Sequence, residues 1–128
     1  MCGLLIAGRA APSAALAAEE ELAPGFNACM NRSSATTDMV ACYDSAYKFW
    51  DNILNKNYKK AMKNCEENGT PECKANLKKA QRAWIQYKEG MSDYIYNTSD
   101  GSMSRLSAIG FLTEETKKQA QLLRTSSN

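Results

Sequence analysis

An all-α fold is predicted for this chain: an antiparallel helical hairpin with a third helix packed on it, a small three- to four-helix bundle stapled by disulfides. Three observations predict it. Apolar residues recur at alternating spacings of three and four over two long stretches, the rhythm of amphipathic helices. Breaks rich in Gly, Pro, Asn and Ser separate the helical stretches. No stretch alternates apolar and polar residues as a half-buried strand does. At 128 residues the chain suits one domain with a modest core.

The chain opens with residues 1–18, MCGLLIAGRAAPSAALAA, a short apolar stretch followed by small residues. Ala15-Leu16-Ala17 fits the small-x-small pattern of a secretory cleavage site, and Glu19-Glu20-Glu21 follows at once. The expectation is a signal peptide over 1–18, the alternative a disordered Ala-rich leader, with a single helical domain over 19–128. Cys2, with only Met1 before it in place of an apolar recognition stretch, is expected to leave with the leader, the alternative being an acylated lipoprotein cysteine.

Pro24-Gly25 marks a break, and Ser33, Ser34, Thr36 and Thr37 are N-cap candidates for the first long helix, with Asp38 suited to its positive dipole end. Its stripe runs Met39, Tyr43, Ala46, Trp50, Ile53, Asn57 and Ala61, widened by Cys42, Phe49, Leu54, Tyr58 and Met62, which predicts a helix over about residues 37–66 with one polar member. Lys56, Lys59, Lys60 and Lys63 cluster in its last turns, near the negative end of the dipole. Gly69 fits the stop, Thr70 an N-cap and Pro71 a first helical position. The second helix carries Cys73, Leu77, Ala80, Trp84, Tyr87, Met91 and Tyr94 as its apolar stripe, weakened locally by Gly90. Asn97-Thr98-Ser99-Asp100-Gly101-Ser102 ends it. A third helix is expected over about 103–124, with Met103, Leu106, Ile109, Leu112, Ala120 and Leu123 on or near one face, and Ser126 to Asn128 fraying. Trp50, Trp84, Tyr43, Tyr58, Tyr87 and Tyr94 fall on apolar stripes and are expected to be mostly core, whereas Tyr47, Tyr96 and Phe26 lie off them.

Five cysteines are present, and four remain beyond the leader: Cys29, Cys42, Cys65 and Cys73. An even number in a short exported chain points to two disulfides. Of three possible pairings, Cys29–Cys42 and Cys65–Cys73 are favoured because each closes a short loop at a predicted helix end. The spacings contain no CxxC, which disfavours zinc.

The chain has no His, so a Ser/His/Asp triad, a Cys/His pair and an imidazole metal site are excluded. Glu66/Glu67 and Glu114/Glu115 are adjacent pairs, which do not face one another on a helix, so paired-carboxylate chemistry finds no support. No catalytic residue, metal or cofactor is expected. A net charge of +2 does not advertise nucleic-acid binding, and no apolar run reaches the length of a membrane span. The charge is uneven, however. Glu19 to Asn55 holds six acids and two bases, while Lys56 to Arg82 holds eight bases (Lys56, Lys59, Lys60, Lys63, Lys74, Lys78, Lys79, Arg82) and three acids. The hairpin tip is thus a candidate basic docking patch for an anionic partner, beside the plainer reading of a solvated helix surface.

The order of features resembles the lysozyme-inhibitor LprI-like family of small exported bacterial proteins. Two cysteines lead into Leu54-Asn55-x-x-Tyr58, then Gln81-Arg82-Ala83-Trp84 with Tyr87-Lys88-Glu89, then Gly101-Ser102 and Leu112-Thr113. The resemblance covers roughly Asn27 to Leu123, and the QRAW block is its specific part. Where the family often carries a further cysteine pair, this chain has Met91 and Gly110-Phe111; the family Arg of the second block is Lys88 here. The motif reads as mostly structural, with Tyr58 and Trp84 facing each other across the hairpin and Asn55, Gln81 and Arg82 as half-buried polar cross-links. The resemblance implies a non-enzymatic periplasmic or secreted protein that inhibits lysozyme by binding. The alternative is an envelope interaction module, with a secretion-apparatus or anionic-surface partner, docking through the basic tip. The sequence leaves the oligomeric state open.

Overall fold

The structure, a computed structural model, describes residues 20–126. Four helices follow in order: α1 (Phe26–Asn31), α2 (Thr36–Asn68), α3 (Cys73–Tyr96) and α4 (Ser102–Ser126), and no strand occurs among the described residues. The leader, with Cys2, and the terminal Ser127 and Asn128 lie outside them.

α2 spans 33 residues, about 50 Å at the α-helical rise. α3 returns antiparallel to it, bringing Lys88 to Tyr47. α4 returns again, parallel to α2: Thr113 meets Tyr43 and Asn57 meets Ala120. The bundle therefore runs up, down and up, with α1 pinned beside the start of α2 by the Cys29–Cys42 bridge.

The expected all-α bundle, an antiparallel hairpin with a third packed helix, is what forms, and its interfaces are unequal. The broad interface is between α2 and α4; α2 and α3 touch far less, and α3 leans mainly on α4. Small side chains decide this. Gly110 lies against the Tyr43 ring, and Thr113, Thr116 and Ala120 are wholly buried, so α4 can come close to α2. The seam of α4 is therefore built from Ser104, Ala108, Thr113, Thr116, Ala120 and Leu123, offset from the expected face; Leu106, Ile109 and Leu112 flank it half-buried, and Met103 is exposed.

Two clusters form the core. Leu22, Ala23 and Ala46 pack with Phe26, Tyr43 and Trp50. Leu54, Ala120 and Leu123 pack with Trp50, Ile53, Tyr58, Leu77 and Trp84. Trp50 joins both, and its indole N–H donates to the Leu22 carbonyl at 2.6 Å, tying the N-terminal segment to the middle of α2. Leu54, 2% exposed, is the most deeply buried of the core leucines, and such a side chain contributes about 1.5–3 kcal/mol by leaving water.

Several expectations are corrected. Ala35 is the N-cap of α2, without a side-chain cap bond, because Ser33 Oγ instead accepts from the Ala35 N–H at 3.0 Å. The helix extends through Glu66 and Glu67, so its last turn carries no base. α3 starts later than Pro71: Thr70 and Pro71 belong to the turn, and the Thr70 carbonyl accepts from the Cys73 N–H. Tyr87 and Tyr94, expected in the core, are 51% and 64% exposed, because α3 turns only part of its stripe toward the other helices.

Candidate functional site

The α2–α3 turn carries the most concentrated chemistry. Cys65 and Cys73 are bridged across it, as the spacing suggested. Gly69 stops α2 in an extended conformation (φ −92°), so a left-handed backbone is not what requires glycine there. Space is: a Cβ at Gly69 would stand 2.8 Å from the Cys65 carbonyl oxygen and from Cβ and Sγ of Cys73.

Of the eight cations between Lys56 and Arg82, only Lys74 makes a salt bridge among the described residues, to Glu66 at 2.8 Å. The Lys74 ammonium, donating to that carboxylate, holds Glu66 below the usual carboxylate range. Glu66, Glu67 and Glu72 sit at the turn itself, so the very tip is acidic and the bases lie along the flanks of the two helices.

The motif residues divide into two groups. Leu54 is buried, and Tyr58 and Trp84 pack on the same cluster around it. Gln81 is half-buried and cross-links helices as expected, its Oε1 accepting from Gln119 Nε2 of α4 at 3.0 Å. Asn55 and Arg82 are not half-buried cross-links: both are exposed. Ala83, Tyr87 and Gly101 are exposed as well.

Because α2 and α3 touch so little, an open groove of about 320 Å³ lies between them, lined by Asn55, Tyr58, Lys78, Gln81, Arg82 and Ile85. Four of these six are motif residues. Lys78 and Arg82 sit one turn apart on α3, like charges at a spacing that repel weakly on an isolated helix. Gln81 has committed its oxygen to Gln119, which leaves its NH₂ as a donor. The groove thus has donors along its sides, Tyr58 and Ile85 as apolar surface, and no carboxylate in its lining. Lys78 and Arg82 also border, with Lys79, a second shallow depression on α3, whereas Lys56, Lys59, Lys60 and Lys63 line neither.

Two features escaped the sequence reading. Lys88, 6% exposed, has its amine against the Tyr47 hydroxyl at 3.1 Å and over the Tyr47 and Trp84 rings at 5.2 and 5.1 Å. It joins α3 to α2 through the ring and hydroxyl of Tyr47, while the Trp84 ring one turn back on α3 flanks the amine, and no carboxylate lies in salt-bridge range. Its place among Tyr and Trp on a helical stripe was the available signal. The buried pair Thr113 and Thr116 donate within α4 to Ile109 and Leu112, which satisfies their hydroxyls and hides them from a purely apolar search.

Among the described residues no group of three or more His, Cys, Asp or Glu is placed to hold a metal ion, and no helix is long and apolar enough to cross a membrane. Glu66 and Glu115, one from each adjacent acid pair, are engaged by Lys74 and Lys118. These features define a disulfide-stapled all-α bundle with a donor-lined groove between two of its helices. The family described as Lysozyme inhibitor LprI matches residues 29–123, and the chain belongs to that family. It is also 33% identical over 100 residues to "Uncharacterized protein R02472" of Rhizobium meliloti (strain 1021), which covers 68% of this chain and 70% of that protein. No solved structure gives a significant match.

Proposed function

We propose that this chain is an exported, non-catalytic protein that binds lysozyme and blocks its substrate cleft. The family match over residues 29–123, which takes in both bridges and all six lining residues of the groove, carries the reading. Chemistry supports it. Lysozyme works through two carboxyl groups flanking the scissile bond, so its cleft is locally acidic. A blocking partner must bring hydrogen-bond donors and positive charge to that place, and Asn55, Lys78 and Arg82 offer both from one face. Both bridges support export, since disulfides persist in oxidising compartments. The mature protein is expected to begin near Ala18 or Glu19 and to gain four alkyl groups only after reduction, as read by intact mass.

The decisive experiment adds purified mature protein, at about 10 µM to saturate a micromolar complex, to a bacteriolysis assay. A fall in lytic rate that follows the binding curve is the expected result; unchanged turnover overturns the reading. A second reading, docking of a different envelope partner through the basic end, is favoured by the seven cations there without a salt bridge. It requires binding that weakens with salt and fails when Lys59, Lys60, Lys78 and Lys79 become Glu.

A further inference from the structure

We infer that the groove between α2 and α3 is the surface that recognises the partner, and that what it recognises is a carboxylate-bearing segment of a protein. This rests on the reading of the chain as a protein-binding inhibitor and adds the contact and its chemistry. Four observations carry it. Lys78 and Arg82 face the groove one turn apart with no salt bridge, a repulsive arrangement that an arriving anion relieves. Gln81 is held in place by Gln119 with its NH₂ left to donate. Asn55 is exposed on the opposite wall, although it lies beside the deeply buried Leu54. Tyr58 and Ile85 supply apolar surface for the methylenes of an Asp or Glu side chain, while an Arg guanidinium offers its paired donors to the carboxylate.

The same features argue against other anions. An anionic bilayer approached end-on would meet Glu66, Glu67 and Glu72 at the turn before it met the lysines. Membrane docking also favours an apolar face beside the cations, and the groove's apolar surface lies between two helices.

The test uses the full mature chain labelled with ¹⁵N and titrated with a blocked tetraglutamate peptide. Tetraglutamine peptide, inorganic phosphate and anionic phospholipid vesicles are titrated in parallel. Saturable shifts of the Asn55 and Gln81 side-chain amides and of Arg82 Nε–H with tetraglutamate alone are expected. Loss of one charge-assisted hydrogen bond in Arg82→Gln should weaken binding about tenfold, and Lys78→Gln less. Lys56→Gln and Lys60→Gln, outside the groove, should leave it unchanged. The inference is overturned if the peptide gives no saturable shift, if phosphate or vesicles bind the groove more tightly, or if Lys56→Gln weakens binding as much as Arg82→Gln. Lysozyme inhibition measured on the same variants separates the two ideas. Inhibition that survives Arg82→Gln undiminished removes the groove as the contact and leaves the inhibitor reading standing. Peptide binding by a wild-type chain that does not inhibit lysozyme removes the inhibitor reading and leaves the groove.

Discussion

The α2–α4 seam and helix α3 belong to one bundle but are held in it by different means. The seam is close and continuous: Leu54, Ala120 and Leu123 are buried together, Thr113 reaches the Tyr43 carbonyl, and Asn57 Nδ2 donates to the Ala120 carbonyl at 2.7 Å. Only Lys88 and Ser92 of α3 are buried. It is fixed at intervals, by the Cys65–Cys73 bridge at one end, the Gln81–Gln119 bond, the Lys88 amine on Tyr47 of α2, and Leu77 and Trp84 on the core. An element anchored at separated points keeps most of its surface for solvent. Under the proposed function, that separates stability from recognition: the seam holds the fold, and α3 presents a face.

The largest effect that would sharpen this contrast is in the core. Leu54→Ala should lower stability by about 2–5 kcal/mol in denaturant titration, and Ile85→Ala on α3, a third exposed, by under about 1 kcal/mol. Comparable losses at the two positions would break the comparison.

The bridge comes next. Replacing Cys65 and Cys73 together by Ser should cost about 2.5 kcal/mol on the chain-entropy estimate for so short a loop. Hydrogen exchange should rise first in the N-terminal half of α3, with the centre of α2 still protected. Simultaneous loss of protection in both helices would mean that α3 is no less integrated than the seam.

Polar links give a smaller contrast. Asn57→Ala removes a buried bond of the seam and should cost about 1–3 kcal/mol, against about 0.5–1.5 kcal/mol for Gln119→Ala, whose bond to Gln81 is partly solvated. Thermal unfolding of the two variants side by side checks the order.

The smallest effect is electrostatic. Lys74 lowers the Glu66 carboxyl, so this pair's contribution is present above the unfolded carboxylate value and fades as pH falls through the lowered folded one. Glu115 raises Lys118, and that contribution is present below the ordinary lysine value and fades as pH rises through the raised one. The Lys74–Glu66 pair is solvent-exposed, so Glu66→Gln should shift the midpoint slightly at about pH 6, and by less as the pH is lowered through the folded value of Glu66.

Much of this was legible in the chain. Both bridges, the three long helices and their breaks follow from cysteine spacing, helical rhythm and turn residues. Asn57 stood out as the polar member of the α2 stripe, and the structure shows what it does there. The QRAW block marked the right part of α3, with Trp84 on the core and Gln81 bonded to α4. Tyr87, Met91 and Tyr94 misled because an apolar stripe states which side chains could be buried, not whether a neighbour arrives to cover them. Asn55 and Arg82 misled in the opposite sense, since a motif polar group was expected to cross-link helices and here faces a groove.

Backbone periodicity, turn chemistry and the positions of four cysteines act over a few residues at a time, so the amino-acid order alone was enough to set the helices, their ends to within a few residues and both bridges. Which pair of helices becomes the core is a competition over long range. It was settled by Gly110, Thr113, Thr116 and Ala120, whose small side chains let α4 approach α2 more closely than α3 does. The same approach holds α3 away from α2 beyond the bridge and leaves Asn55, Lys78 and Arg82 facing one groove. That convergence exists only once three helices have divided the available contacts among themselves.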